Sequence, residues 1–235
     1  DCFEGFEGFA HPYDPLLDEY EPQMSTKDMR RVLGELREGL VPIVRGATDG
    51  DGGEGPGDDS LHGDFPEDAQ RQLVEELISE LPFPEGSWRL DPTEHPFATS
   101  VGHGDVRLTT RYDESNLGMA LFSALHESGH GLYEAGVAPE LARTPLASPR
   151  SLGLHESQSR LWENWVARGR PYLERLLPKL REAFPGSFEA VEVERLLRDS
   201  NRVERSLIRI EADEVTYNLH ILIRFELEQA LISGD

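Results

Sequence analysis

His126, Glu127 and His130 form a HExxH motif, and no other stretch of this chain carries comparable chemistry. The motif lies within Asn116–Gly136, whose spacing predicts an amphipathic helix with Leu117, Ala120, Leu121, Ala124 and Leu125 on its apolar side. Residues i and i+4 share one helical face, so both imidazoles can reach a single metal ion. Glu127 stands beside them, able to approach a metal-bound water without taking a ligand position. A zinc ion held by two histidines needs a third protein ligand and an open fourth position. His155 and Glu156, at the start of the next helical segment, are the candidates. Glu156 suits the chemistry better, because a carboxylate lowers the net positive charge of the site and leaves a basic hydroxide. Ser159 and Arg160 stand within a turn of Glu156, where either can fix its carboxylate. Gly129 and Gly131 are costly inside a helix, at about 1 kcal/mol each relative to alanine. Their presence predicts a close approach to the backbone, by a packed neighbour or by substrate.

Several elements must position these groups. Ser25 caps a predicted helix carrying Met29, Val32, Leu33, Leu36 and Leu40, which Pro42 ends or bends. The Gly- and Asp-rich residues 45–63 predict a mobile acidic surface loop; the ligand spacing of an EF-hand is absent. Asp64, Pro66 and Glu67 open a second helix with Leu73, Val74, Leu77, Ile78 and Leu81 on its buried face, stopped by Pro82. Residues 83–104 read as irregular. Residues 105–112 alternate as a strand, placed to pair with an extended peptide. Beyond the HExxH helix, helical patterns cover 155–170, 171–184, 188–200 and 203–233. In the last of these, Ile208, Ala212, Val215, Leu219 and Ile223 form the expected buried stripe. Arg209, Asp213, Tyr217, His220 and Arg224 form a polar one. The pattern predicts a single domain over 1–235, mainly α with a small β-sheet.

The bulk properties narrow the partners. Across 235 residues the formal net charge is −22, which argues against nucleic acid and anionic membranes. No apolar run approaches the roughly 18 residues of a membrane span. The N-terminus has neither the basic start nor the apolar core of a secretory signal, and it lacks an initiator methionine. Cys2 is the only cysteine, which excludes an intrachain disulfide and a cysteine zinc site and fits a cytoplasmic setting. Lysine occurs only at Lys27 and Lys179, with arginine supplying the remaining positive charge. A carboxylate-rich surface with so little lysine suits high salt, and a halophilic source is expected.

Further motifs join HExxH. His95-Pro96-Phe97 is followed by Asp105-Val106-Arg107-Leu108-Thr109, then HESQSR at 155–160, then Ile208-Arg209 with Ala212-Asp213. In this order they resemble the HPF, DxRxT, HExxH, HES-Q-SR and IRxxAD motifs of the HExxH zinc carboxypeptidases of the thermostable carboxypeptidase (carboxypeptidase Taq) family. The likeness runs from about Tyr13 onward, on a chain about half the family's length that lacks its GxxQ motif. It implies a helical zincin-like metallopeptidase core with a small sheet, one divalent metal (Zn2+ or Co2+), homodimers, and peptide substrates with a free C-terminal carboxylate. It also implies His126, His130 and Glu156 as metal ligands and Glu127 as general base. Recognition of a terminal carboxylate calls for an arginine, with Arg209 and then Arg107 as candidates. Arg160, Asp213, His95, Tyr217 and His220 are expected in supporting or positioning roles. The resulting reading is a metal-dependent carboxypeptidase. The alternatives are a catalytically impaired metal-binding remnant or dimerising module of the same family, and another kind of HExxH peptidase. Composition alone generates one expectation: the melting temperature rises between low and multimolar KCl, measured by calorimetry, and a flat or falling profile overturns the halophilic reading.

Overall fold

The computed structural model describes residues 8–48, 59–209 and 212–234. The chain falls into two compact units, one of Asp1–Gly53, Arg150–Gly153 and Arg202–Asp235, the other of Glu54–Pro149 and Leu154–Asn201. Three helices make up most of the first unit: α1 (Asp14–Tyr20), α2 (Thr26–Thr48) and α8 (Glu214–Ser233). Tyr13, Leu33, Leu222 and Phe225 form its core, with the Tyr13 and Phe225 rings edge to face at 5.5 Å. Ser25 Oγ accepts from the Asp28 amide at 3.1 Å at the start of α2. That helix does not stop at Pro42. It continues to Thr48, with Val44 buried and Thr48 Oγ1 donating to the Val44 carbonyl at 2.8 Å. Part of the expected loop at 45–63 is therefore helix, and residues 49–58 lie outside the described residues.

Helix α8 is shorter than its periodicity predicts, starting at Glu214 rather than Val203. Asp213 accepts from the amides of Val215 and Thr216 at 2.9 and 3.0 Å, and this cap sets the start. Arg209 therefore stands outside the helix. The buried side is also rotated from the expected stripe. Leu222 and Phe225 face the core, whereas Ile223 and Ile208 are exposed.

The second unit carries α3 (Glu67–Ser79), β1 (Trp88–Pro92), β2 (Ala98–Gly102), β3 (Asp105–Thr110), α4 (Leu117–Ala135), α5 (Leu152–Arg160, from Leu154 onward), α6 (Arg170–Ala183) and α7 (Val193–Ser200). The sheet order is β1-β3-β2, with β1 parallel and β2 antiparallel to β3. The segment read as irregular thus supplies two strands. Both are only five residues long, too short for alternation to stand out. The central place of β3 corrects a further expectation. Its two edges are occupied, so it has no free edge to offer a peptide.

Val106 and Leu108 on β3 are fully buried and meet α4 where Gly131 leaves room. A Cβ at Gly131 would lie 2.9 Å from both side chains. Leu73, Val74, Leu77 and Ile78 of α3, Leu117, Leu121 and Leu125 of α4 and Leu173, Leu177 and Leu180 of α6 complete one core. Phe65, Phe184 and Phe188 add a cluster of three rings to it. The far end of the expected acidic loop belongs to this core as well: Leu61 is buried, and its carbonyl accepts from the Leu117 amide at 3.0 Å.

Asp14 links α1 to α2 in the first unit. It is 6% exposed, and its carboxylate accepts from the Thr26 amide (2.7 Å) and hydroxyl (2.5 Å) and from the His11 amide (3.0 Å). Burial alone would raise its pKa, but these hydrogen bonds outweigh it and hold the carboxyl below its ordinary value. The stabilisation is therefore complete above the ordinary carboxylate pKa of about 3.9 and is lost as pH falls through the lower folded value. Asp14→Asn is expected to cost about 1–3 kcal/mol near neutral pH. In chemical denaturation the gap from wild type should narrow below about pH 4; a constant gap would remove the ionised carboxylate from the account.

Candidate metal centre

Successive residues of an α-helix are about 100° apart, so Gly129 and Gly131 lie on opposite faces of α4. Gly131 faces β3, and Gly129 faces α5. A Cβ at Gly129 would stand 2.5 Å from the Gln158 carbonyl oxygen and 2.6 Å from Ser159 Cα. The neighbour that these glycines admit is packed protein on both sides. On the α5 side the approach is backbone to backbone, and it brings the turn carrying Glu156 over the turn carrying His126 and His130.

The ligand atoms converge accordingly. Glu156 Oε2 lies 3.2 Å from His130 Nε2 and 3.7 Å from His126 Nε2, and the three groups place their donor atoms within 4.8 Å of one another. Two ligands of a tetrahedral ion bound at about 2.0 Å are separated by roughly 3.3 Å. Two imidazole nitrogens and one carboxylate at these separations fit a borderline divalent ion such as zinc. His155, the other third-ligand candidate, is not in this group. Its ring stacks on that of His130 with centroids 4.5 Å apart, and its Nε2 is 3.0 Å from Glu134 Oε1.

Glu156 is itself held. Arg160 Nε donates to Oε1 and Ser159 Oγ to Oε2, each at 3.0 Å. Burial would raise its pKa, but the hydrogen bond from His130 and the charges of His126 and Arg160 outweigh burial and hold it at about 2. Glu127 is 6% exposed and behaves in the opposite way. Burial pushes its carboxyl up to about 7; His130 works against that rise, and the Glu156 and Glu163 charges work with it.

Glu163 was not singled out by the sequence. The helix expected over 155–170 changes character midway: α5 ends at Arg160, and a π-helical segment, Leu161–Ala167, follows. Glu163 sits in this wider turn, with Oε2 2.8 Å from His126 Nδ1 and 2.9 Å from Arg160 Nη1. Its Oε1 accepts from Arg168 Nη2 at 3.1 Å. Burial raises its pKa, but the bond from His126 and the two arginines override burial and hold it near 2. π-Helical turns often occur at functional sites. Hydropathy carries no signal for one, so only the spacing of Glu163 after HESQSR could have drawn notice.

The other expected site residues are placed as follows. Arg107 alternates with Val106 and Leu108 on β3, so it projects from the face turned away from α4, and its Nε lies 2.6 Å from Asp105 Oδ1. Thr109, on the same face, accepts from the Phe97 amide at 2.7 Å and donates to the Phe97 carbonyl at 2.9 Å. The DxRxT and HPF motifs thus meet through Thr109 and Phe97. His95 is exposed between β1 and β2. Arg209, Asp213, Tyr217 and His220 belong to the first unit. Arg209 does not pair with Asp213 as helical spacing would suggest. Its Nη1 donates to the Tyr217 hydroxyl at 2.6 Å, and Asp213 caps α8.

Comparison with known proteins places the chain in a family. The sequence profile of the carboxypeptidase Taq (M32) metallopeptidase family matches residues 6–235. The chain belongs to this family. Similar relatives of this M32 chain include thermostable carboxypeptidase 1 of Thermus thermophilus, 48% identical over 97% of this chain and 44% of the relative. Carboxypeptidase 1 of Bacillus subtilis is 40% identical over 96% of this chain and 44% of the relative. Among solved structures, the M32 carboxypeptidase from Deinococcus radiodurans R1 superposes with a TM-score of 0.90 at 40% identity, covering 96% of this chain and 45% of that one. The chain therefore spans a little under half the length of these relatives.

Alanine at Gly129 gains about 1 kcal/mol of helix propensity, but its methyl meets backbone, which cannot rotate aside. Overpacking of about 1–3 kcal/mol should prevail. Gly129→Ala is expected to lower the unfolding midpoint and weaken zinc binding about tenfold or more in chelator competition. Gly131→Ala meets only side chains and should disturb zinc binding much less; equal effects would dismiss the backbone contact as the positioning element.

Proposed function

We propose that this chain carries the catalytic core of a metal-dependent carboxypeptidase that releases single residues from peptides with a free C-terminal carboxylate. The observation that carries this reading is the convergence of His126, His130 and Glu156 beside a buried Glu127, in a chain of the M32 family.

His126 and His130 would hold a zinc ion, or cobalt, through the Nε2 atoms that face Glu156, and Glu156 would complete the set through Oε2. When bound, such an ion polarises the scissile carbonyl and lowers the pKa of an attacking water towards about 7. The rest falls to side chains of the chain itself. Arg160 and Ser159 fix the Glu156 carboxylate in one rotamer. Glu127 takes the proton of the attacking water on a carboxylate oxygen and hands it to the leaving amine. Burial raises the affinity of this carboxylate for a proton in the metal-free protein, which favours its work as a base. Arg209, and after it Arg107, remain our candidates to bind the terminal carboxylate. Asp213, His95, Tyr217 and His220 are assigned to supporting roles. We place the protein in the cytoplasm, as a homodimer without nucleic-acid or membrane partners.

A second reading, that of a metal-binding module without turnover, rests on the same three convergent groups, since they suffice to hold an ion without any substrate. One set of assays separates the two. In the whole protein loaded with zinc, a peptide with a free C-terminus should be shortened residue by residue while its C-terminal amide is spared. Glu127→Gln should keep the metal and lose turnover by about 10²-fold or more. Equal cleavage of the amide sinks the carboxypeptidase reading, and bound zinc with no hydrolysis favours the module.

A further inference from the structure

His126 and His130 are held by different means. His126 Nδ1 is 2.8 Å from Glu163 Oε2, and a carboxylate can only accept, so the ring proton belongs on Nδ1 and the lone pair on Nε2. His130 Nδ1 is buried and has no hydrogen-bond partner among the described residues; that ring is steadied by its stack on His155. Glu163 has the attributes of a fixed anchor. It is enclosed by the π-helical turn, and both of its oxygens are engaged by arginine. Arg160 spans the two carboxylates, donating through Nε to Glu156 and through Nη1 to Glu163. Arg168 reaches Glu163 with Nη2 and the Ser200 carbonyl with Nη1, while its guanidinium lies over the Phe122 ring at 3.8 Å. Glu163 is therefore held from two directions, on the far side of His126 from Glu156.

We propose that Glu163 is a positioning residue for His126: it selects the Nδ1–H tautomer, aims Nε2 at the position shared with His130 and Glu156, and so sets metal affinity without itself being a ligand. The inference rests on the metal-site reading above. A carboxylate behind a ligand histidine also raises the basicity of the ring, and losing such a partner typically weakens metal binding 10–100-fold. Arg160 makes the arrangement one unit, since a shift of Glu163 is passed through a single guanidinium to Glu156.

The test uses the whole protein. Zinc affinity of wild type, Glu163→Gln and the core variant Leu180→Ala is measured by chelator competition, together with the visible spectrum of the Co2+ form. Glu163→Gln should bind zinc at least tenfold more weakly and shift the Co2+ bands. Leu180→Ala, which removes a buried core side chain that takes no part in the hydrogen bonds of the cluster, should stay within about threefold of wild type. A zinc affinity for Glu163→Gln within twofold of wild type, with unchanged Co2+ bands, overturns the proposal, and so does an equal loss in Leu180→Ala. Should Glu163→Gln fail to fold, the imidazole ¹⁵N spectrum of wild type decides. A slowly exchanging Nδ1 proton on His126, with and without zinc, supports the role; a bare or metal-bound Nδ1 ends it. If wild type binds no zinc, the metal reading falls, and the Nδ1 signal of the metal-free protein still reports on the Glu163 contact.

Discussion

The absence of a side chain at Gly129 allows the backbone of α4 to touch the backbone of α5, and the geometry of the cluster follows from that contact. A helix pair separated by ordinary side chains sits 8–10 Å apart, axis to axis. At Gly129 the two backbones come closer than that, and beside this contact Glu156 lies 3.2 Å from His130 on the facing helix while accepting from Arg160 and Ser159 on its own. Gly131 performs the matching service on the opposite side, seating α4 on Val106 and Leu108 of the central strand. The HExxH helix is thereby fixed between a sheet and a helix. Two glycines that weaken it locally, by about 1 kcal/mol each, are what permit this packing.

That contact gathers three carboxylates and sorts them by their partners. Glu127, Glu156 and Glu163 all lose water, which alone would raise every one of them. Glu156 and Glu163 have histidine and arginine donors within about 3 Å and stay ionised. Glu127 has the burial without equal compensation and rises to about 7. Carboxylates gathered in one cluster are thus divided into two that stay charged and one whose affinity for a proton is raised, a separation typical of acid–base sites. The division also calls for arginine. Arg160 serves two carboxylates through different nitrogens of one planar fork, which the point charge of a lysine cannot reproduce with the same directions.

Much of this was legible in the sequence, and what was not has physical reasons. HExxH and HESQSR named the residues that converge, because a covalent i,i+4 spacing survives any packing. The buried face of α3 followed from a strong 3.6-residue period, whereas α4 is buried beyond the one side its apolar residues mark, at Phe122 and from Glu127 to Gly129 as well. Periodicity failed where capping or backbone geometry overrode it. Asp213 starts α8 well after the apolar pattern begins, and hydropathy gave no sign of the π-helical turn after Arg160 that carries Glu163, although i+7 spacing keeps that residue near the face of Glu156. Pro42 misled in the other direction, since the loss of one amide did not end a helix anchored by Val44 beyond it. The short strands β1 and β2 escaped notice because neither has the length for alternation to stand out. They are defined by pairing with β3, which is a tertiary fact.

The locality of the cluster separates two capacities that the family name joins. His126, Glu127, His130, Glu156, Arg160, Glu163 and Arg168 come from two short runs of one compact unit, linked by a single helix crossing. A metal affinity built on that crossing asks little of the rest of the polypeptide, because ligands and supports lie in the same stretch of packed chain. Turnover asks more. Holding a peptide in a reactive geometry contributes several kcal/mol of any enzymatic rate, and it depends on surfaces that grip the substrate away from the scissile bond. A chain spanning 44–45% of its relatives brings His126, His130 and Glu156 together in this one unit, with Glu127 buried beside them. A free terminal carboxylate, for instance, is gripped best by the planar fork of an arginine, at a distance from the bond that breaks.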